Sequence, residues 1–413
     1  MKKLIICALL LLLAFAFSAC SDDKGTPTPT TRAGDASPSA TVTGIEATNP
    51  LPGGAMNIST PQTSVDDTPG STPVTEVANE PSLPQLAAGW TKIEPGGETI
   101  CARGTPYAFW VRPGTVNKLL VYFQGGGGCW NAETCREGST FFDDAVTAQD
   151  GPQYQPGVLD MDNLQNPFKD YYALYMPSCT GDVYMGDKTQ TYKGEDGTEV
   201  TINHKGFVNG SSGTEWVYEH FSSPESVFVT GCSAGSVGSI TFAPYLINHY
   251  PKSRVTQLGD SLAYVFDHPV DLQTDWAAHD NFPSWIPDMA EIAPGEFTIA
   301  RFYTAIARFY PGYTFSQFNS AHDAVQQRFY FAAALPSPTP GPWEDALAAS
   351  LGEIAANAPN FRSYVAGGDQ HCITPRQDFY TREVNGVRLR DWVDDLANGR
   401  DVESVHCVQC DAP

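Results

Sequence analysis

Positive charge is scarce in this sequence. Its 24 Lys and Arg residues stand against 47 Asp and Glu residues, so the 413-residue chain has a formal net charge of -23. An acidic surface repels phosphate backbones and anionic headgroups. No cluster of basic residues interrupts the pattern. We therefore expect no nucleic-acid partner, and a polyanionic polymer would lack a basic strip to bind.

Long apolar runs are scarce as well. The run at residues 4–17 is too short for a comfortable membrane span. It follows Lys2 and Lys3 and precedes small residues and Cys20, so residues 1–20 are predicted to be a lipoprotein signal peptide with Cys20 as the lipidation site. Simple secretion is the alternative. Either way the mature protein is extracytoplasmic: a bacterial cell-surface or periplasmic lipoprotein that meets the membrane only through its lipid anchor, or a secreted protein.

Aromatic residues are absent from residues 21–83. The segment is rich in Thr, Pro and Ser and cannot bury enough apolar surface to order itself. We expect residues 21–84 to be a disordered linker and residues 85–413 to be one folded domain, which starts just before the first aromatic residue, Trp90.

Paired metal-binding motifs are also missing. The single CxxC, at Cys407 and Cys410, has no second CxxC or paired histidine near it, so no metal site is expected. Eight cysteines remain beyond the signal peptide, and an even number in an exported chain indicates disulfides. They are Cys101, Cys129, Cys135, Cys179, Cys232, Cys372, Cys407 and Cys410.

Apolar runs typical of buried strands alternate with segments of helical spacing. The predicted strands cover residues 118–123, 171–176, 226–230, 255–258 and 361–366, and the predicted helices cover residues 237–249, 297–309, 316–334 and 343–356. This alternation predicts an α/β fold, with a mostly parallel central sheet and helices on both faces.

The strongest local motif is Gly-x-Ser-x-Gly at residues 231–235. It lies between a predicted strand and a predicted helix, which is the arrangement of a nucleophile elbow with Ser233 as nucleophile. The amide of Ala234, at the start of the helix, is a candidate oxyanion donor. The alternative is a tight glycine-rich turn in which Ser233 only caps the helix.

Four consecutive glycines, at residues 125–128, follow the predicted strand 118–123. With no side chain in the way, the amides of Gly126 and Gly127 are further candidate oxyanion donors. A phosphate-binding loop would need a Gly-Lys-Ser/Thr ending, which is missing here. A plain flexible turn remains the other interpretation.

The base and the acid are expected later in the chain, because this fold places them in the order Ser, acid, His. His371 follows the predicted strand 361–366 and is the candidate base. Asp323 is the preferred acid, with Asp260 and Asp267 as competitors.

Cysteines flank two of the candidate residues. Cys232 precedes Ser233 and Cys372 follows His371. If the serine and the histidine are in contact, their neighbours are close enough to form a disulfide. Two unrelated or differently paired cysteines are the alternative.

A rival serine occurs in the Gly-Asp-Ser block at residues 259–261. Esterases that use such a block carry it near the start of the domain, whereas here it lies in mid-domain without a glycine-rich turn. Ser261 is therefore interpreted as structural or pocket-lining.

Four segments together resemble the pectin acetylesterase family, which includes Notum-like carboxylesterases. They are FQGGGGCWNAETC (123–135), GCSAGS (231–236), NSAHDAVQ (319–326) and DQHC (369–372). The resemblance implies an α/β-hydrolase fold, no cofactor, and a triad with its oxyanion donors that maps onto Ser233, Asp323, His371, Gly126, Gly127 and Ala234. It also implies the disulfides Cys129–Cys135 and Cys101–Cys179, and we infer the remaining pairs, Cys232–Cys372 and Cys407–Cys410.

Two departures from the family concern the pocket rim. The plant enzymes carry an acid where Gln124 stands and a tryptophan where Gly128 stands. The rim of the pocket is therefore expected to differ, and with it the substrate.

These features predict a monomeric, exported serine esterase that forms an acyl-enzyme. Its expected substrate is a small-molecule or polysaccharide ester, with an acetyl group on a carbohydrate as the first choice. The 22 Phe, 18 Tyr and 8 Trp residues keep open a lipid-ester or aryl carboxylesterase with an aromatic acyl pocket. A third hypothesis is a non-catalytic, surface-anchored carbohydrate-binding lipoprotein.

Overall fold

The computed structural model describes residues 84–263, 271–333 and 341–410. The predicted signal peptide (1–20), its lipidation site Cys20 and the predicted linker up to residue 83 lie outside the described residues. Within the described ranges, no helix has both the length and the apolar character needed to cross a bilayer.

The described residues form thirteen strands and eight α-helices. The strands are β1 (Thr91–Ile93), β2 (Phe109–Arg112), β3 (Lys118–Phe123), β4 (Tyr172–Met176), β5 (Lys188–Lys193), β6 (Glu199–His204), β7 (Ser226–Cys232), β8 (Arg254–Asp260), β9 (Thr314–Ser320), β10 (Phe361–Ala366), β11 (Glu383–Val384), β12 (Val387–Arg388) and β13 (Val405–His406). The helices are α1 (Gly206–His220), α2 (Ala234–His249), α3 (Leu272–Trp276), α4 (Pro287–Ala290), α5 (Ile299–Phe309), α6 (Ala324–Ala333), α7 (Trp343–Asn357) and α8 (Leu389–Ala397).

One large sheet contains nine of these strands, in the order β1-β2-β4-β3-β7-β8-β9-β10-β13. Every neighbouring pair from β4 to β13 is parallel, and the two pairs at the other edge, β1–β2 and β2–β4, are antiparallel. The predicted mostly parallel sheet is confirmed. Two hairpins, β5–β6 and β11–β12, lie outside it.

Both faces of the sheet are buried. In β3, Leu119 and Val121 belong to a core shared with α1, α2, α5 and α7, whereas Leu120 and Tyr122 belong to a second core shared with α8. Successive residues of a strand point to opposite faces, so an apolar run such as that of β3 requires cover on each side. Helices therefore lie on both faces, as the sequence predicts.

One predicted helix is wrong in its first part. Residues 316–334 were expected to be helical, but residues 316–320 belong to the central strand β9, and α6 begins only at Ala324. Phe315 and Phe318 are three residues apart, which imitates helical spacing, and the residues between them are polar. The strand accommodates them because Ser316 hydrogen-bonds Gln257 of β8 through both its amide and its hydroxyl.

Five neighbouring strands end along the same edge of the sheet. They are β3, β7, β8, β9 and β10, which end at Phe123, Cys232, Asp260, Ser320 and Ala366. Parallel strands place their carboxyl ends together, and ligands of α/β proteins bind at that edge. The predicted triad and oxyanion residues each follow the end of β3, β7, β9 or β10.

The buried amide of Gln257 links β8 to the layers around it. Its Nε2 donates to Ser239 Oγ and Tyr303 Oη, both at 2.9 Å, and its Oε1 accepts from the Ser316 amide at 3.3 Å. We predict that Gln257→Leu lowers the free energy of unfolding by about 3 kcal/mol, because it leaves these buried polar groups without their partner. Urea denaturation measures the loss.

The control for this substitution is Gln165→Leu, at an exposed position. Its effect should stay within about 0.5 kcal/mol. Equal effects of the two substitutions would show that the buried amide contributes nothing specific.

Candidate active site

Ser233 lies in a sharp turn between β7 and α2, with φ 55° and ψ -123°. A residue with a side chain rarely adopts positive φ, so the surrounding packing must impose this conformation. A Cβ on Gly231 would collide with Gly235 O, and a Cβ on Gly235 would collide with Phe123 O. The two glycines thus allow the turn to lie against β3, as the elbow motif predicts.

The glycine loop at residues 125–128 packs against this turn. A Cβ on Gly125 would lie 2.9 Å from Cys232 O, and a Cβ on Gly127, whose φ is 67°, would collide with Phe141 O. Side chains at these positions would therefore push the loop away from Ser233. Glycines are needed at these positions because the loop backbone packs directly against the backbone of Cys232 and Phe141.

Within the described residues, three amides beside Ser233 have no acceptor of their own. In the part of the chain that the structure describes, no hydrogen bond engages the N–H of Gly126 or Gly127, whereas the N–H of Gly128 donates to Phe141 O at 3.0 Å. Ala234 is the first residue of α2, and the leading amides of a helix have no acceptor within it. The arrangement suits a bound oxyanion.

His371 and Asp323 form a direct pair. His371 Nδ1 lies 2.8 Å from Asp323 Oδ2 and 3.0 Å from Oδ1. An ionised carboxylate only accepts hydrogen bonds, so Nδ1 carries the proton and Nε2 of the neutral ring is left as a base. Of the acids considered from the sequence, Asp323 is the one bonded to this ring within the described ranges.

The Asp323 carboxylate is fixed by the start of α6. It is fully buried and accepts from the amides of Val325 and Gln326 at 3.0 and 2.9 Å. The Gln326 side chain adds a third bond, at 3.0 Å, and also donates to Asn319 Oδ1. The Asp323 carboxylate therefore both caps α6 and orients the imidazole ring of His371. Sequence reasoning missed Gln326, although its place three residues after an acid matches a capping pattern.

Asp260 anchors the loop that follows His371. Its Oδ2 accepts from the amides of Ile373 and Thr374, at 2.9 and 2.7 Å, and from Thr374 Oγ1 at 2.7 Å. Burial raises the pKa of this carboxyl, and the hydrogen bonds from Thr374 and Ser261 partly offset the rise. Asp260 thus positions the loop without hydrogen-bonding the His371 ring. The third candidate acid, Asp267, lies outside the described residues.

Ser261 takes part in the same support. Its hydroxyl donates to Asp260 Oδ1 at 2.8 Å and accepts from the Cys372 amide at 2.9 Å. It also lines a recess beside Ser233. Both parts of its interpretation, structural and pocket-lining, agree with these contacts.

All four predicted disulfides are present, namely Cys101–Cys179, Cys129–Cys135, Cys232–Cys372 and Cys407–Cys410. Cys232–Cys372 joins the residue before Ser233 to the residue after His371, with the two Cα atoms 5.5 Å apart. This covalent bond keeps the two loops together. Disulfides of this number are typical of proteins that fold outside the cytoplasm.

A cavity of about 580 Å³ opens over the candidate residues. Ser233, His371, Gly126 and Gly127 all line it, and Phe141, Phe142 and Phe329 supply apolar wall. A narrow recess of about 20 Å³ continues from Ser233 and Ala234, between Val183, Leu262 and Phe329. The fold therefore brings the predicted residues together around one cavity, with Asp323 buried behind the imidazole.

Two groups of described side chains come close enough to hold a metal ion: Cys129, Cys135 and His204, and Cys232, Cys372 and His371. In each group the two cysteines are joined in a disulfide, so no thiolate remains. His204 is engaged as well, since its Nδ1 donates to Thr180 O and its Nε2 accepts from Tyr192 Oη, both at 2.9 Å.

Comparisons with known proteins show which family this chain resembles. A family model described as Pectinacetylesterase matches residues 92–295, a range that includes the glycine loop and Ser233 but ends before Asp323 and His371. Pectin acetylesterase 4 of Arabidopsis thaliana is 28% identical over 164 residues, and palmitoleoyl-protein carboxylesterase Notum of Schmidtea mediterranea is 26% identical over 150 residues. The alignments cover 37% and 33% of this chain, and 36% and 26% of the lengths of those relatives.

A solved structure shows the same fold over most of the chain. The Wnt deacylase Notum from Drosophila aligns with a TM-score of 0.53 and 15% identity, over 79% of this chain and 99% of that chain. Together with the parallel sheet and the serine elbow, this likeness defines an α/β-hydrolase fold. The chain is similar to the pectin acetylesterase/Notum-like family, which confirms the resemblance drawn from the four sequence segments.

The glycine loop offers a matched pair of substitutions. Gly127 and Gly138 both have positive φ, 67° and 69°, but only at Gly127 would a Cβ collide with backbone. We predict that Gly127→Ala slows phosphonylation of the protein by a fluorophosphonate at least about tenfold, because the oxyanion amides are displaced.

Gly138→Ala, with open space around its Cβ, serves as the control and should cost only the backbone strain, about 1 kcal/mol of unfolding free energy. The phosphonylation rate is followed by mass spectrometry. Equal rates for the two variants would mean that the loop has no part in the reaction.

Proposed function

We propose that this protein is an exported serine esterase that removes acetyl groups from carbohydrate hydroxyls. The observation that carries the proposal is the arrangement around one cavity of Ser233 in a strained elbow, an imidazole paired with a buried carboxylate, and three amides without acceptors. The similarity to the family supports carboxylic ester hydrolysis. Relatives named pectin acetylesterase support acetyl as the acyl group.

In the first step, His371 Nε2 takes the proton of Ser233 Oγ while that oxygen bonds to the carbonyl carbon of the ester. The amides of Gly126, Gly127 and Ala234 stabilise the negative oxygen that forms. The tetrahedral intermediate then collapses, the imidazolium gives its proton to the departing sugar oxygen, and the acyl group stays on Ser233.

In the second step, water takes the place of the sugar. His371 accepts a proton from the water as its oxygen attacks the acyl carbon, and the same amides stabilise the second oxyanion. The proton returns to Ser233 Oγ as the ester bond breaks and acetic acid leaves. Asp323 holds the ring tautomer throughout and stabilises the transient imidazolium.

The recess beside Ser233 favours a short acyl group. It adjoins Ala234 at the oxyanion side, is lined by Leu262 and Phe329, and has about 20 Å³ of free volume as bounded by the described residues. That is near the space one water molecule needs, and a methyl group is of similar size. The lipid-ester hypothesis, to which the name of the planarian relative corresponds, would require a much larger acyl pocket here.

The location and the state of the mature protein are part of the proposal. The four disulfides support export, and Cys20 is the proposed lipid site of a bacterial surface or periplasmic lipoprotein, on a stretch outside the described residues. We propose that the protein acts as a monomer without a cofactor.

Removing the nucleophile is the first test. Ser233→Ala should lower kcat for 4-nitrophenyl acetate by at least about a thousandfold, since triad members act as a unit. The control is Ser222→Ala, at an exposed position outside the cavity, which should keep full activity. Undiminished turnover by Ser233→Ala would refute the assignment. A wild-type protein that turns over no ester and is not labelled by a fluorophosphonate would favour the non-catalytic binding hypothesis.

A chain-length series tests the acyl group. With 4-nitrophenyl esters from acetyl to octanoyl, kcat/KM should be highest for acetyl and fall by at least about tenfold by hexanoyl. Leu262→Ala enlarges the recess and should raise the butyryl-to-acetyl ratio at least about threefold. Leu347→Ala, an equally buried truncation on α7, should not change the ratio. A maximum at eight carbons would replace the acetyl proposal by the lipid-ester one.

A further inference from the structure

Asp143 lines the cavity above Ser233 and is placed by the glycine loop itself. Its amide donates to Gly126 O at 2.9 Å, next to an isolated bridge between Gly127 and Phe142. Its Oδ2 lies 3.3 Å from the position that a Cβ on Gly126 would occupy. The backbone of Asp143 is therefore fixed beside the glycine loop, and its side chain lines the large cavity and not the narrow recess.

Two neighbouring acids have partners among the described residues, whereas the Asp143 carboxylate has none there. Asp144 forms an ion pair with Arg103, and Asp150 accepts from Gln124 Nε2 at 3.1 Å. No hydrogen bond or ion pair engages the Asp143 carboxylate among residues 84–263, 271–333 and 341–410. Because the Asp143 carboxylate faces the cavity above Ser233 and has no partner among the described residues, it is available to accept hydrogen bonds from a ligand.

Arg328 also lines this cavity, but it does not form an ion pair with Asp143 within the described residues. Arg328 is bonded to the loop that carries this acid: its Nη2 donates to Thr140 Oγ1 at 2.8 Å, and its guanidinium lies 4.4 Å from the centre of the Phe141 ring. Partial burial, together with the charges of Asp150 and Asp144, raises the pKa of Asp143 to about 6, so the carboxylate is ionised at neutral pH.

Resting on the proposed function, we infer that Asp143 is a specificity-determining residue that binds the hydroxyls of an uncharged acetylated glycan and disfavours an acetylated polyuronate. A carboxylate accepts hydrogen bonds from neighbouring sugar hydroxyls but repels sugar carboxylates at close range in a low-dielectric cavity. The overall charge of -23 adds a repulsion of the same sign. The substrate class therefore differs from pectin, whose backbone is anionic.

The test compares acetylated xylo-oligosaccharides with acetylated oligogalacturonides of the same length. At pH 7 and low salt, kcat/KM of the wild-type protein should favour the neutral substrate by about tenfold or more. Asp143→Asn should lower this ratio at least about threefold, through a gain on the uronate and a loss on the neutral glycan. Glu353→Gln removes the same charge from the exposed face of α7, far along the chain from the cavity loops, and should leave the ratio unchanged. A ratio unaffected by Asp143→Asn, or a wild-type preference for oligogalacturonides, overturns the inference.

A second measurement needs no variant and covers the case in which Asp143→Asn does not fold. Between pH 7 and pH 5 Asp143 gains a proton, while Arg103, Arg328 and the sugar carboxylates keep their charge. Any loss of activity that is common to both substrates cancels in their ratio, so the neutral-to-uronate ratio should decrease as the pH is lowered from 7 to 5. A flat ratio contradicts the inference. Turnover of 4-nitrophenyl acetate distinguishes failure of the esterase proposal from failure of the glycan inference. If the protein does not hydrolyse this ester, the proposed esterase function fails. If it does, the ratio tests only the preference for neutral glycans.

Discussion

The site depends on one close approach, between the turn at Ser233 and the end of β3. Gly231 and Gly235 leave no room for side chains between this turn and Phe123 O, and Gly125 extends the same contact to Cys232. Backbone packed so tightly forces Ser233 into positive φ and presents the amides of the glycine loop beside its hydroxyl. A bulkier residue at any of these glycines would separate the proposed nucleophile from its proposed oxyanion donors.

Two buried aspartates hold His371 in position, each through different contacts. Asp323 meets the imidazole directly and is itself fixed by the amides at the start of α6. Asp260 never reaches the ring; it anchors the loop after His371 through the amides of Ile373 and Thr374. Asp323 is thus satisfied by amides of the helix that follows it, and Asp260 by amides of a distant loop, which the disulfide Cys232–Cys372 also ties to the turn at Ser233. The imidazole is held from both sides before any ligand arrives.

The sequence predicts well what depends on short-range pattern. The glycine runs mark the two tight turns, and the strand β3 has the predicted bounds because its residues are apolar on both faces. It predicts poorly what depends on contacts between distant segments. The pattern of residues 316–320 predicts helix, because the buried polar residues of β9 gain partners such as Gln257 on β8 only in the folded protein. The role of Asp260 was left open for the same reason, since the amides it binds lie 113 and 114 residues away.

The central claim is that a hydroxyl, an imidazole and three amides surround one carbonyl carbon. A crystal structure of the protein after reaction with a small alkyl phosphonate tests it most directly. The account predicts phosphorus bonded to Ser233 Oγ, with the phosphonyl oxygen about 3 Å from the amide nitrogens of Ala234 and at least one of Gly126 and Gly127, and His371 Nε2 in hydrogen-bond contact with the adduct. Phosphorus on another side chain, or a phosphonyl oxygen turned away from these amides, would contradict it.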